Sequence, residues 1–340
     1  MGFETQNALL RIALSMGTVR IMNMITTRGL ARTFRSKSGA VNAVRGVDID
    51  VAVGEIVGFL GPNGAGKTTT LRMLTTLIDP TAGDATVAGH DLRTDPVGVR
   101  RSIGYVAQGH STERAAQVRE ELLDQAAFYG IDPREGAKRA DELIEAFELG
   151  SFQNKVIKEL SGGQRRRVEV SLGMVHSPKL VFLDEPTTGL DPQSRANLWD
   201  HVRALREQHG STVFITTHYL EEADALCDRV LILDDGQIIA SGTPDELKRG
   251  IGGDLITVEV DGDRDAARDV IAAAVEGATI ETPEGGRALR ITIANGDSQL
   301  PIILRALDAA GMTVATVQLA RPSLDDVFLK LTGKSLRDEN

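Results

Sequence analysis

The sequence has little of three features that would each indicate a particular class of protein: cysteine, excess positive charge and long apolar runs. The single Cys227 excludes an internal disulfide framework and a Cys-cluster metal site, and it is compatible with a reducing compartment. The net charge of -10 argues against general nucleic-acid binding, which needs a basic face. No apolar run reaches the length of about 18 residues that a membrane-spanning helix requires. The 340 residues are enough for about two domains.

The N-terminal stretch from Ala8 to Ile25 is apolar but is interrupted by polar and charged residues. Glu4 precedes it and no small-residue cleavage site follows, so we do not expect a secretory signal. We favour a poorly ordered tail over residues 1–25, or a start assigned too early, since Met16, Met22 and Met24 can each begin the chain. An amphipathic arm lying on a membrane or a partner helix is the alternative.

A glycine-rich segment from Gly61 to Thr69 follows an apolar strand pattern and precedes a run of helix formers. It fits the phosphate-loop pattern G-x-x-x-x-G-K-[ST] in the strand–loop–helix context that the pattern requires. Backbone N–H groups can converge there on phosphate oxygens, Lys67 can reach the β- and γ-phosphates, and the Thr68 hydroxyl can bind Mg²⁺. The predicted phosphate contacts are Gly61, Pro62, Asn63, Gly64, Ala65, Gly66, Lys67, Thr68 and Thr69.

Apolar strands alternate with helical patterns through most of the chain, which predicts a mainly parallel sheet with covered faces. Short strands are expected between residues 26 and 57, at 29–34, 41–44 and 47–51. The segment between residues 111 and 165 loses strand character and predicts a helical subdomain, with helices over 118–129 and 134–148. Further strands are expected at 55–60, 84–88, 103–107, 180–183, 212–216, 229–233 and 237–240, and further helices at 192–208 and 219–227.

Beyond a glycine-rich linker at 250–253 the pattern changes, so we place a domain boundary there. The following β-α-β-β-α-β order predicts a small ferredoxin-like α+β domain over 251–340. Its strands are expected at 255–260, 278–282, 288–294 and 313–319, and its helices at 264–276 and 297–310. A final amphipathic helix is predicted from Pro322 to Leu331, with Ser323 as its N-cap.

Two acidic residues, Asp184 and Glu185, stand directly after the buried strand pattern at 180–183. Phosphoryl transfer needs a second metal anchor and a group that positions water. A carboxylate at a strand end beside the phosphate loop suits the first role, which we assign to Asp184. Glu185 is placed to polarise a water toward the γ-phosphate.

Several further motifs resemble the ATP-binding cassette (ABC) ATPases. Leu160–Arg165 is similar to the family's signature sequence and lies upstream of the acidic pair, as in that family. Gln108 resembles the glutamine loop, Gly189–Asp191 the loop that crosses to the partner subunit, and His218 the switch histidine. Phe34 stands where the family often has an aromatic residue that stacks on adenine. The resemblance covers roughly residues 26–250.

This resemblance implies a P-loop ABC ATPase core that binds ATP and Mg²⁺. It also implies two subunits that enclose two nucleotides head to tail, and a homodimer with two working sites is compatible with the sequence. Lys67, Thr68, Gln108, Asp184, Glu185 and His218 would act in cis, with Thr68, Gln108 and Asp184 at the metal. The signature residues Ser161, Gly162, Gly163 and Gln164, together with Asp191, would contact the nucleotide site across the dimer.

The tail from Pro322 to Gly333 and the arginines at 165–167 resemble drug-resistance ATPases of the daunorubicin exporter type. Such subunits pair with a separate membrane permease, so we expect a peripheral protein at the cytoplasmic face of the membrane. We expect no nucleic-acid partner. The permease is expected to dock on the helical stretch, where Gln117–Leu122 departs from the usual family segment. A soluble ABC ATPase without a transport role and a nucleotide-binding module without turnover are the alternatives.

Overall fold

The computed structural model describes residues 23–36, 39–109, 115–283 and 288–333. The predicted N-terminal tail therefore falls mostly outside the described residues, but β1 begins at Asn23, inside the range predicted as tail. The strands are β1 Asn23–Ser36, β2 Gly39–Ala52, β3 Ile56–Leu60, β4 Ala82–Val87, β5 His90–Asp91, β6 Ile103–Val106, β7 Leu180–Asp184, β8 Thr212–Thr217, β9 Arg229–Asp234, β10 Gln237–Gly242, β11 Asp254–Asp261, β12 Thr279–Glu281, β13 Ala288–Ile293 and β14 Thr313–Ala320. The helices are α1 Lys67–Leu74, α2 Pro96–Ser102, α3 Val118–Phe128, α4 Pro133–Ala146, α5 Gly162–Gly173, α6 Pro192–His209, α7 Leu220–Leu226, α8 Pro244–Ile251, α9 Arg264–Ala274, α10 Gly296–Ala309 and α11 Leu324–Thr332.

A six-stranded sheet in the order β10-β9-β3-β8-β7-β6 forms the centre of the larger domain. All neighbouring pairs are parallel except β9 and β10, which form an antiparallel hairpin. Every residue of β3, β7 and β8 is buried, as expected for strands whose two faces are both covered. The predicted mainly parallel sheet is confirmed.

A second, four-stranded antiparallel sheet in the order β2-β1-β4-β5 lies in the same domain. The sequence patterns predicted several short strands here, whereas β1 and β2 form one continuous ribbon of two 14-residue strands. Gly29 and Gly46 have φ angles of +59° and +86° and lie beside each other at irregularities in the ribbon. These glycines therefore act as bulges within the ribbon, and the prediction of separate short strands at 29–34, 41–44 and 47–51 was wrong.

The helical subdomain contains the paired helices α3 and α4, whose apolar faces join the buried cluster under the central sheet. Its predicted start at residue 111 lies outside the described residues, and α5 continues past its predicted end at 165. Two short helices, α2 and α8, were not predicted. Both have local start signals: Asp95 caps α2 ahead of Pro96, and Thr243 forms a capping box with Glu246 around α8.

The C-terminal sheet has the order β12-β13-β11-β14, and all of its pairs are antiparallel. With α9 and α10 this is the ferredoxin-like arrangement that was predicted, and it has its own buried cluster. Helix α8 ends at Ile251, so the predicted linker is partly helical. Helix α11 leaves this domain: Leu324, Val327 and Phe328 belong to the buried cluster of the larger domain, next to α7 and α8.

In the part of the chain that the structure describes, no helix combines the length and apolar character needed to cross a membrane.

Candidate nucleotide-hydrolysis site

The segment between β3 and α1 has a backbone path that only glycine permits at two positions. A side chain at Gly61 would place its Cβ 2.3 Å from the carbonyl oxygen of Leu233. At Gly66, which precedes α1, φ is +106° and a Cβ would lie 2.4 Å from the carbonyl oxygen of Ala43. These short distances show that the loop backbone lies directly against Leu233 of β9 and Ala43 of β2. The N-terminus of α1 therefore opens toward the loop, as a phosphate site requires.

Lys67 is the first residue of α1 and its side chain is only 5% exposed. Its Nζ donates hydrogen bonds to the carbonyl oxygens of Gly61 at 2.7 Å and Pro62 at 3.1 Å. It also lies 4.0 Å from Glu185 Oε1. The ammonium group is thus held inside the loop, where it can exchange carbonyl oxygens for phosphate oxygens.

The parallel register places the carboxyl ends of β3, β6, β7 and β8 next to one another at the same edge of the sheet. Leu60 at the end of β3 pairs with Thr217 of β8, and Asp184 at the end of β7 pairs with Thr216. Val106 of β6 pairs with Leu183, so Gln108 follows at the same edge. Ligands of open parallel sheets bind in the crevice at this edge.

Asp184 is buried at the end of β7 with 1% of its surface exposed. The Thr216 hydroxyl donates a hydrogen bond to its Oδ1 at 2.6 Å. Burial raises the pKa of the Asp184 carboxyl above its ordinary value, and the Thr216 hydrogen bond opposes that rise only in part. Thr216 was not among the predicted site residues, although a hydroxyl at the end of the adjacent strand was a signal that could have found it.

Glu185 lies one residue beyond the strand, with a φ of +44° that is uncommon for a residue other than glycine. Its backbone N–H donates to the carbonyl oxygen of Thr216 at 3.0 Å, which holds this turn in place. The His218 imidazole, whose Nδ1 lies 3.3 Å from Oε2, is the main reason that the pKa of the Glu185 carboxyl falls below its ordinary value, against the opposing effect of burial. Lys67 lowers it further, so the two neighbouring acids titrate differently.

Three side chains meet at one oxygen of Glu185. The Gln108 amide donates to Oε2 at 2.9 Å, the Thr188 hydroxyl donates to it at 3.2 Å, and Nδ1 of His218 lies 3.3 Å away. The structure thus brings together Lys67, Gln108, Glu185 and His218, which were predicted from motifs far apart in the sequence. Thr188 is an additional member that sequence reasoning missed.

The predicted signature residues form the start of α5. Ser161 is the N-cap, and it exchanges hydrogen bonds with Gln164 in a capping box. Ser161 and Gly162 are exposed. A Cβ on Gly163 would lie 2.5 Å from Ser194 Oγ, so glycine lets α5 approach α6 closely. Asp191 caps α6 by accepting from the backbone N–H and the hydroxyl of Ser194.

Phe34 lies near the end of β1 and is 40% exposed. The Arg32 guanidinium lies 4.7 Å from the centroid of its ring, a cation–π contact. The two middle residues of the phosphate loop, Asn63 and Gly64, are exposed. Thr68 and Thr69, at the start of α1, are half-buried. The aromatic ring and the loop therefore both keep accessible surface.

The phosphate loop follows β3, and the buried acidic pair lies at the end of β7, two strands away in the same sheet. Together with the helical subdomain, this arrangement defines the protein as a P-loop ATPase of the ATP-binding cassette class. Comparison with known proteins gives the same result. Residues 44–188 match the ABC transporter family, and residues 242–332 match the C-terminal domain of DrrA1-3-like ATP-binding proteins. The chain belongs to the ATP-binding proteins of ABC transporters, and the predicted resemblance is confirmed.

Relatives match over nearly the whole chain. The daunorubicin resistance ATP-binding protein DrrA3 of Streptomyces coeruleorubidus is 41% identical over 92% of this chain and 97% of its own length. The linearmycin resistance ATP-binding protein LnrL of Bacillus subtilis is 34% identical over 91% and 99% of the two chains. Among solved structures, the dimeric post-hydrolysis state of the cassette MJ0796 bound to ADP and Pi has a TM-score of 0.60 and 26% identity. It covers 65% of this chain and 98% of that one.

Proposed function

We propose that this chain is one of two identical ATPase subunits that power the export of a drug-like or lipid-like compound through a separate membrane permease. The observation that carries the ATPase activity in this proposal is the convergence of Gln108, Thr188 and His218 on one oxygen of Glu185, next to the Lys67 ammonium. This arrangement provides an ionised carboxylate and a phosphate-binding cation in a largely buried site.

Glu185 is proposed to orient the attacking water and accept its proton. Its lowered pKa keeps the carboxylate ionised at neutral pH, so the group can accept a hydrogen bond from water before reaction. His218 and Gln108 would hold Oε2 and leave Oε1 for the water. Lys67 would bind the β- and γ-phosphates, as the single cationic group inside the loop.

Mg²⁺ is proposed to arrive with ATP and to be held by the Thr68 hydroxyl, the Asp184 carboxylate and the Gln108 amide oxygen. The donor set fits, since magnesium prefers oxygen ligands and usually takes only one or two carboxylates besides phosphates and water. Asp184 accepts from Thr216 through Oδ1, which leaves Oδ2 for the metal or its water shell. When bound, the ion would neutralise charge on the β- and γ-phosphates. Phe34 is proposed to stack on the adenine through its exposed face.

The second subunit is proposed to supply Ser161, Gly162 and Gly163 to the γ-phosphate, with Asp191 at the dimer interface. These residues lie at the exposed N-terminus of α5 rather than in the Glu185 cluster. Gly163 lies close to Ser194, and Ser194 is hydrogen-bonded to Asp191 at the start of α6. The signature segment and Asp191 are therefore neighbours. The dimeric MJ0796 structure with ADP and Pi supports this arrangement by analogy.

A groove of about 970 Å³ between α2, the end of α3 and the segment after α5 is the proposed permease-docking surface. Phe128 stands at its edge with 85% of its surface exposed. Three arginines, Arg100, Arg101 and Arg139, line the groove with one acid, Glu135, so its lining has an excess of positive charge although Arg139 also pairs with Glu142. Such a groove suits a short permease helix that carries apolar and acidic side chains. Because α2 leads directly into β6 and so to Gln108, docking there can influence the hydrolysis site.

The export role rests on relatives named for daunorubicin or linearmycin resistance and for Nod factor export. We therefore propose that the chain lies at the cytoplasmic face of the membrane. The test is co-expression of the full chain with a candidate permease. We expect co-purification in detergent, and efflux or resistance that requires both chains and ATP. A chain that hydrolyses ATP but binds no permease would contradict the transport role.

A further inference from the structure

Arg166 is a buried arginine in the second turn of α5, with 8% of its side chain exposed. Within the described residues, only Lys67 is a second buried cationic side chain. An arginine is rarely buried unless it is paired and fully hydrogen-bonded. Arg166 lies outside the nucleotide loop, so its burial calls for a separate explanation.

The guanidinium of Arg166 binds three backbone carbonyls from two segments of the hydrolysis site. Its Nε donates to the carbonyl of Pro186 at 2.9 Å, and its Nη2 donates to that of Asp184 at 3.1 Å. These two carbonyls stand on either side of Glu185. Its Nη1 donates to the carbonyl of Ala107 at 2.9 Å, immediately before Gln108. One side chain therefore fixes the backbone next to both Glu185 and Gln108.

The same Nη1 lies 2.9 Å from Oε2 of Glu169, whose side chain is 1% exposed and one turn along α5. Glu169 compensates the buried charge and orients the guanidinium. Replacing a buried ion pair by apolar side chains is often neutral for stability, whereas removing one partner is strongly destabilising. Stability alone therefore does not explain this pair. The guanidinium of Arg166 is a rigid, planar set of donors, which suits it to hold backbone groups in fixed positions.

Glu185 has a further need for such support. Its φ of +44° is sparsely populated for a residue with a side chain, and such conformations persist when the surroundings determine them. The carbonyl groups before and after Glu185 are both held by Arg166. If they are released, the residue can relax and carry its carboxylate away from Gln108 and His218.

We propose that Arg166 is a positioning residue for hydrolysis, which couples the signature helix to Glu185 and Gln108. Ser161 and Arg166 are five residues apart on α5, roughly 7.5 Å along the helix axis. A shift of α5 on contact with the partner's nucleotide is thus transmitted to the acid of the chain's own site. The coupling rests on the proposed trans contact of Ser161, whereas the positioning role does not.

The test compares three variants of the full chain. Arg166→Met/Glu169→Leu removes both charges, so no buried charge is left unpaired, and it releases the three carbonyl groups that Arg166 holds. Arg166→Lys retains the charge but cannot reach three carbonyls. Arg167→Met is the matched control, because Arg167 also donates to carbonyl groups, those of Phe147 and Glu148, but only in the helical subdomain.

We expect the double variant to have a lower melting temperature than the wild type, to remain folded at the assay temperature and to bind ATP with unchanged affinity by calorimetry. Its kcat should fall about 10- to 100-fold with little change in KM, the result expected when reacting groups are misplaced. Arg166→Lys should not restore kcat, and the control should stay near the wild type. A double variant with wild-type kcat, a change in KM alone, or an equal loss in the control would overturn the proposal. A wild-type chain that hydrolyses no ATP would instead refute the proposed function.

Discussion

His218 Nδ1 lies 3.3 Å from Glu185 Oε2, the same oxygen that accepts a hydrogen bond from Gln108. Gln108 resembles the glutamine loop of the family, and His218 resembles the switch histidine. One precedes Glu185 in the chain and the other follows it, and both lie against the same oxygen of this candidate base. This relationship explains why the pKa of Glu185 falls although the side chain is largely buried. It also determines what should happen when each partner is removed.

Glu185→Gln should reduce ATP hydrolysis by about 10²- to 10⁴-fold, because an amide cannot accept the proton of the attacking water. ATP binding and ATP-dependent dimerisation should survive, since the amide has the same shape and removes a negative charge close to the phosphates. Phosphate release and size-exclusion chromatography with ATP measure the two effects. Glu207→Gln, an exposed position in α6, is the control. If Glu185→Gln hydrolyses at the wild-type rate, the role of Glu185 is wrong.

His218→Ala should move the acid limb of the kcat–pH profile to higher pH. The nearby His218 imidazole is the largest influence that lowers the pKa of Glu185, while burial acts in the opposite direction. Without the imidazole, burial is opposed less strongly, so the pKa of Glu185 rises and the carboxylate is protonated at a higher pH. Steady-state hydrolysis at each pH gives the apparent pKa. An acid limb at an unchanged pH in the variant would show that His218 does not set this pKa.

Asp184→Asn should stabilise the nucleotide-free protein at neutral pH while reducing Mg²⁺-dependent hydrolysis. The folded-state pKa of Asp184 is raised by burial, so its stability cost is absent at low pH and develops as the pH rises through the unfolded and then the folded pKa. The neutral amide avoids that cost at pH 7. Thermal unfolding without nucleotide and hydrolysis across a Mg²⁺ titration are the measurements. A lower melting temperature would contradict the expected sign.

Phe128→Glu should impair assembly with the permease and leave basal ATP hydrolysis unchanged. Its ring is 85% exposed at the edge of a positively charged groove, far from the contacts that hold Glu185. Loss of an apolar anchor weakens docking without disturbing the catalytic core. Val53→Glu, at another exposed apolar position, is the matched control. Equal co-purification of the two variants with the permease would argue against this groove.

Phe328→Ala should destabilise the ATP-binding domain by about 3–5 kcal/mol, the usual cost of removing a buried aromatic ring. Phe328 is 1% exposed and belongs to the buried cluster of that domain rather than to that of the ferredoxin-like domain. Denaturant unfolding of the full chain measures the change. The equally apolar Leu329, 50% exposed on the same helix, provides the control when changed to alanine. A Phe328 variant as stable as that control would contradict the packing of α11 against this domain.

Truncation after Gly250 has two expected effects. The glycine-rich stretch at 250–253 predicts a domain boundary there, and we expect the truncated chain to lose transport or assembly more than ATP binding. The structure adds a loss of stability, because the removed part includes Leu324, Val327 and Phe328 from the buried cluster. Export that persists after truncation would remove the case for a role of the small domain.

The sequence was sufficient wherever neighbouring residues determine the outcome. The phosphate loop follows from residues 61–69 alone, because glycine positions, the lysine and the helix start are all local. The ferredoxin-like domain follows from the order of strand and helix patterns in the sequence. Its sheet order, β14-β11-β13-β12, agrees with that prediction. The ribbon β1–β2 was predicted as fragments, because a glycine that breaks a strand and one that forms a bulge look alike in sequence.

The tertiary structure decided which distant groups meet. Parallel register brings Gln108, Glu185 and His218 to one sheet edge, and family motifs made that meeting predictable. Thr216 and Arg166 were not predicted as site residues. Arg166 binds backbone carbonyl groups, which every residue carries, so its acceptors leave no pattern in the sequence. The sequence therefore determined which chemical groups this ATPase has, and the packing of α5 against two loops decided which of them are held in place.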